Sequence, residues 1–178
     1  MRNKLFIAMV LIISIEFFSG KASAQESGIM DLDFLVGEWK VREDNKEKEW
    51  WEETIRVGRY VLDSTYIELE STAVSSDGKE RTYRWYIHFN SKAKQFEMVS
   101  MFGNWHKVQF DILNWEANNR KLTIRSSADP NSSEFHERFG EIVFDKDFNE
   151  YVWTGQNKYG DRENPRIWNY VEKGQRIR

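Results

Sequence analysis

From residue 34 onward the chain reads almost entirely as short alternating segments, and no stretch of ten or more residues carries an apolar stripe at helical spacing. Alternation is plainest in Glu49-Trp50-Trp51-Glu52-Glu53-Thr54-Ile55-Arg56-Val57 and in Arg81-Thr82-Tyr83-Arg84-Trp85-Tyr86-Ile87-His88-Phe89. A strand with one face in a core shows this period of two. β-Branched and aromatic residues also dominate 60–70, 95–102, 105–115, 120–126, 134–144, 150–156 and 165–172. Turn signals punctuate them at Val57-Gly58, Asp77-Gly78, Asn90-Ser91, Gly103-Asn104, Asn118-Asn119, Asp129-Pro130-Asn131 and 161–165. Two aromatic pairs seven residues apart, Phe89 with Phe96 and Phe144 with Tyr151, predict hairpins with aromatic cross-strand contacts. Only 27–35 could hold a helical turn, with Ser27 or Asp31 as its cap.

Roughly ten strands joined by short turns imply sequential antiparallel neighbours. An open meander of that size leaves two long edges, and closure removes them. A β-sandwich satisfies the strand count too, but its Greek-key connections need longer loops. The predicted fold class is therefore all-β: a single antiparallel up-and-down barrel of about 8–10 strands with a short N-terminal helical turn. Such a barrel is wide enough to hold a small ligand or to be plugged by its own side chains. With no cysteine to staple it, stability must come from the core, for which 8 Trp, 12 Phe and 7 Tyr are at hand.

The first residues read as an export signal. Arg2 and Lys4 precede an apolar run from Leu5 to Ile15, interrupted by Ser14 and ended by Glu16, and Ala22-Ser23-Ala24 offers a cleavage site. The run is too short to cross about 30 Å of hydrocarbon. Cleavage after Ala24 would leave 25–178 as one barrel domain. No cysteine is present to receive a lipid, so a periplasmic or secreted product without membrane insertion is expected. Losing Arg2, Lys4 and Lys21 against Glu16 takes the formal charge from −3 to −5. That balance argues against nucleic acid or an anionic membrane as partner.

Leu35-Val36-Gly37-Glu38-Trp39 resembles the G-x-W signature that opens the first strand of lipocalins and other calycin barrels. The wider pattern is similar to a bacterial exported lipocalin-like family of unknown function whose chains open with L-x-G-x-W. Gly37 would let the backbone bend or approach a neighbour, and Trp39 would plug the closed end. The resemblance implies a basic residue of the last strand packed over that tryptophan, with Arg166 as the candidate and Lys173 as the alternative. The T-D-Y motif of true lipocalins is missing. Arg166-x-Trp168-x-Tyr170 is similar to the R-x-Y carboxylate clamp of fatty-acid-binding proteins, with Trp in the tyrosine's place. Nitrobindin-type haem barrels open the same way but hold iron through a histidine near the C-terminus. His88, His106 and His136 do not supply one, which argues against haem.

Other chemistry is sparsely signalled. Three scattered histidines and no cysteine give no metal-ligand spacing. His136-Glu137 begins like H-E-x-x-H, but Gly140 stands where the second histidine would be. A nucleophile elbow and a glycine-rich phosphate loop are absent, and Asn131-Ser132-Ser133 matches a glycosylation acceptor by pattern alone. Attention therefore falls on the lumen. Taking the more apolar face of each strand as inward places Trp51 and Glu53 inside beside Ile55 and Val57, and Glu137 beside Phe135 and Phe139. The same rule puts Tyr83, Trp85, Ile87 and Phe89 on one inward face. With Met98, Phe110, Trp153, Arg166 and Trp168, these form the predicted ligand-facing set. Buried carboxylates would be pushed up in pKa unless a cation such as Arg166 answers them, and a slip of one residue would send them to solvent. The expected function is an exported barrel holding an apolar or amphiphilic small molecule, without a cofactor. The alternatives are a filled interaction barrel acting through loops 128–133 and 157–164, or a small lyase, isomerase or hydrolase. An enzyme would use Glu53 or Glu137 as general base with His88 or His136 nearby.

Overall fold

A computed structural model describes residues 28–105, 107–126 and 135–178, with Phe135 described in its backbone. Ten strands make up nearly all of it: β1 (Gly37–Asn45), β2 (Trp50–Val61), β3 (Tyr66–Ser75), β4 (Glu80–Asn90), β5 (Gln95–Phe102), β6 (Gln109–Glu116), β7 (Lys121–Ser126), β8 (Phe135–Phe144), β9 (Glu150–Gly160) and β10 (Pro165–Arg176). Each pairs antiparallel with its sequence neighbours, and β10 returns to pair with β1, which closes the barrel. The all-β up-and-down barrel read from the alternation is the observed fold. The predicted export signal, Ser27, His106 and the Asn131 loop lie outside the described residues.

Both predicted aromatic hairpins form. Phe89 faces Phe96 across β4 and β5 with ring centroids 5.1 Å apart, and Phe144 faces Tyr151 across β8 and β9 at 5.5 Å. One turn differs from expectation. Val57-Gly58 lies inside β2, and the chain reverses instead at 62–65, where Leu62, Asp63 and Ser64 take positive φ. None of these is the glycine or asparagine that usually marks such a conformation. Gly58 instead permits a close approach. A Cβ there would sit 2.0 Å from the Leu35 carbonyl oxygen, because the N-terminal segment presses against β2 at this point.

That segment is a short 3-10 turn, Ile29–Leu35, lying across one end of the barrel. Asp31 accepts the Gly28 N–H at 3.2 Å, and the Tyr60 hydroxyl donates to Asp33 at 2.9 Å. Leu32 is fully buried, and the Phe34 ring meets Trp115, Phe144 and Phe148 at 4.5, 4.7 and 4.9 Å. Trp39, 2% exposed, is buried beneath them as the plug.

The residue over Trp39 is Arg176, not Arg166 or Lys173. Its guanidinium lies 4.5 Å from the Trp39 ring centroid and donates to the carbonyls of Val36 (2.8 Å), Phe148 (3.1 Å) and Phe34. Topology dictates this choice. Antiparallel pairing puts Trp39, at the start of β1, opposite Arg176, at the far end of β10. Arg166 is exposed at the other end of that strand, and Lys173 is exposed on the alternate side. Gly37 makes room for the arrangement, with φ at +128° and a notional Cβ only 2.7 Å from Arg176 Nη1.

Above the plug the barrel is packed. Leu69, Ile87, Met98, Leu113, Ile124 and Ile142 leave about 30 Å³ between them, too little for more than a water or two. The lumen opens only beyond this layer.

Candidate functional site

The other half of the lumen holds a cavity of about 390 Å³, within the range of small-molecule sites. Trp50, Tyr83, Trp85, Phe102, Trp105, Trp153, Tyr159, Trp168 and Tyr170 supply aromatic wall, and Glu43, Glu52, Arg56, Arg81, Arg138 and Glu172 supply charge. Arg56, Trp85 and Trp153 border both this cavity and the packed layer beneath, so they form its floor.

Two buried ion pairs organise that floor. Arg56 on β2 donates both terminal nitrogens to Glu172 on β10, at 2.7 and 2.8 Å. Tyr151 on β9 closes the triangle: its hydroxyl accepts from Arg56 at 2.9 Å and donates to Glu172 at 2.7 Å. The Arg56 guanidinium also lies 4.7 Å from the Trp85 ring centroid. On the opposite wall Arg138 on β8 donates to Asp111 at 3.1 Å and to Gln109 at 3.0 Å, while Gln109 and Ser100 donate to Asp111 at 3.1 and 3.2 Å. Burial pushes the Asp111 carboxyl upward, and Arg138 opposes it. Such pairs stay charged in a closed interior because the lone pairs they present are answered.

A third feature is a row of carboxylates. Register sets Glu43 on β1 directly opposite Glu52 on β2 and directly opposite Glu172 on β10, so three acids lie side by side on the lumen wall. Like charges facing each other across strands sit only ~5 Å apart at Cβ and repel. Glu172 is neutralised by Arg56. Glu52 accepts from the Tyr83 hydroxyl at 2.9 Å and has Arg81 at 3.6 Å; burial still raises its pKa. Glu43 has the Trp168 indole N–H at 3.4 Å and, among the described residues, no cationic partner. Burial, then Glu172 and Glu52, push its carboxyl up to about 8. At neutral pH it is therefore largely a protonated acid. Across the cavity, burial and Arg138 bring His136 down to about 4, leaving a neutral imidazole 5.6 Å from the Trp105 ring.

The structure sorts the predicted ligand-facing residues by register. Tyr83, Trp85, Trp153 and Trp168 line the cavity, and Met98 belongs to the packed layer beneath it. Trp51 and Glu53 face outward: Glu53 pairs with Arg42 at 2.7 Å, and the same guanidinium stacks 4.7 Å from the Trp51 centroid. Phe110 is 61% exposed. Glu137 alternates with the inward Arg138 and lies outward, opposite Lys158. Arg166 is exposed at the start of β10.

The physical reason is common to β2, β6 and β8. Inward on these strands are Glu52 and Arg56, Gln109 and Asp111, and His136 and Arg138; the more apolar set, with Ile55, Phe110 and Phe139, faces solvent. The apolar-inward rule assumes a dry lumen, and this half is polar. A signal was present in the alternate register: charged residues at period two on several strands, able to neutralise one another if all turned inward. The catalytic pairing considered from sequence does not assemble. Glu53 and Glu137 are outside, and His88 bonds to Glu97 at 3.1 Å on the outer surface.

No protein-family model matches the chain, and no curated protein matches it. Among solved structures it is similar to EF1p2_mFAP2b bound to DFHBI, at 11% identity and a TM-score of 0.44, over 82% of this chain and 96% of that one. It is also similar to a redesigned beta barrel, mFAP1, bound to DFHBI, at 12% identity and a TM-score of 0.41, over 81% and 96%.

Proposed function

We propose that the protein is an exported, lipocalin-like container that holds an amphiphilic small molecule in the wider half of its barrel. The observation that carries this reading is the cavity itself: about 390 Å³, walled by aromatic rings and floored by charge pairs whose charges already answer each other. Aromatic wall offers burial energy to a ligand's apolar body, and the few unspent polar groups orient its polar end. The lower half of the lumen has no such space, so the ligand sits on the Arg56–Trp85–Trp153 floor and does not thread the barrel.

Native mass spectrometry of the mature protein from its own host tests the reading. A co-purifying small-molecule adduct is expected, and Thr54→Trp, which fills the cavity, should lose it. Bare protein in repeated preparations, together with unchanged behaviour of the filled variant, would shift the function to the outer surface. N-terminal sequencing of the same material should begin at Gln25 if export and cleavage occur as proposed.

A further inference from the structure

We infer that the Glu52–Glu43–Glu172 row, flanked by Trp50 and Trp168, recognises the cationic nitrogen of an organic amine or ammonium ligand. The inference rests on the container reading and specifies what the container takes.

Charge balance points to a cation. The arginines of the cavity are each matched: Arg56 to Glu172, Arg138 to Asp111, and Arg81 to Glu52. Glu43 is the acid left over, placed between two others by strand register. An anionic ligand would meet this row with its cations already engaged. A cation would meet a surplus acid that can ionise in answer to it.

The aromatic surroundings point the same way. Trp168, whose indole N–H reaches Glu43, packs edge-on to Trp50 with centroids 5.2 Å apart. Trp50 already carries a cation, since the Arg81 guanidinium lies 5.0 Å from its ring centroid. Indole faces beside carboxylates are the surroundings that stabilise a desolvated ammonium. Among the described residues, no group of three His, Asp or Glu side chains is arranged to hold a metal ion, so the row suits a diffuse organic cation.

A third, independent observation points to an occupant. Ser71 and Trp85 border the same cavity and are 2% and 5% exposed, and the Ser71 hydroxyl and the Trp85 indole N–H have no hydrogen-bond partner among the described residues. A ligand carrying a polar group on its body would answer them.

Binding a cation here should expel the Glu43 proton. The groups bearing on that carboxyl are Glu52 and Arg56 from β2, Glu172, Tyr170 and the Trp168 indole from β10, Tyr83 from β4, and Tyr151 from β9, while Arg81 of β4 lies at Glu52. A permanent positive charge added to this set tips Glu43 to its ionised form.

The test uses three probes of similar size: benzyltrimethylammonium, its uncharged carbon isostere neopentylbenzene, and phenylacetate. Tryptophan fluorescence reads binding, and calorimetry in two buffers of different ionisation enthalpy at pH 7 reads proton exchange. The ammonium has no proton to give, so any proton released comes from the protein. Expected are binding at least about tenfold tighter than the isostere and release of roughly one proton. Glu43→Gln should abolish the release and most of the preference while leaving neopentylbenzene binding unchanged, with a thermal melt confirming the fold. Equal binding of the isostere, tighter binding of phenylacetate, or ammonium binding without proton release overturns the inference and leaves the container standing. If none of the three binds and no adduct co-purifies, the container reading falls as well.

Discussion

Arg56 and Glu172 meet through two parallel hydrogen bonds of 2.7 and 2.8 Å, bridging β2 and β10 over the intervening β1. The pair is a strut between strands that are not neighbours, and Tyr151 locks it from a fourth strand. Breaking one side leaves a buried charge unanswered. Arg56→Met should therefore destabilise the protein by about 3–5 kcal/mol in urea unfolding. Arg56→Met with Glu172→Leu should recover most of that loss. A double variant as unstable as the single one would show that the strut contributes more than its charge balance.

Closure of the plugged end gives a second prediction. Arg176→Ala loses the face of Trp39 and three carbonyl contacts, and should cost about 2–3 kcal/mol. Arg166→Ala, at an exposed position, should stay within about 0.5 kcal/mol of the parent. Equilibrium unfolding of both variants separates the true partner of Trp39 from the one that motif resemblance suggests.

Gly58→Ala tests the contact between the N-terminal segment and β2. The added methyl meets a backbone carbonyl, which cannot rotate aside as a side chain can. A destabilisation of about 1–3 kcal/mol is expected. Hydrogen exchange should show the loss concentrated in Ile29–Leu35 and not spread over the strands.

Stability should fall as pH rises toward 8. Glu43 gives up its proton near pH 8 in the folded protein and near 4.5 when unfolded. Between those values the folded state holds a proton that the unfolded state has released, so each step up in pH favours unfolding. His136 works in the other direction, because its folded pKa of about 4 lies below the unfolded 6.5, and stability is lost as pH drops through that window. The two windows overlap below 6.5, and from 6.5 to 8 Glu43 acts without His136. Urea unfolding across that upper range should show a decline that Glu43→Gln removes in large part.

How much of this was legible in the chain depended on the strand. On β4, Tyr83, Trp85, Ile87 and Phe89 are both the apolar set and the inward set, because apolar-inward alternation describes that strand correctly from Tyr83 onward; only Arg81, at its start, turns a charge into the chamber. On β2 and β8 the same rule chose the wrong face, since their upper residues enter a polar chamber and their outer faces carry Ile55 and Phe139. The barrel itself followed from turn spacing and survived these inversions, because pairing order does not depend on which face is wet. Arg176 was accessible in principle: in an up-and-down barrel with an even number of strands, the start of the first strand meets the end of the last. The surplus at Glu43 was not accessible, for it exists only once three strands are placed in register.

The pairing of β1 with β10 also bears on how the molecule assembles. Every other strand can pair with a neighbour made just before it, whereas the seam needs two segments at opposite extremes of the sequence. Until β10 arrives, β1 presents an open edge and Trp39 lacks its covering guanidinium, a state vulnerable to intermolecular pairing. Arg176 is thus placed to act as a latch on the last step of folding. Its removal should lengthen the life of the unsealed sheet as well as weaken the finished one, so aggregation yield on refolding would report the seam more sensitively than the melting temperature does.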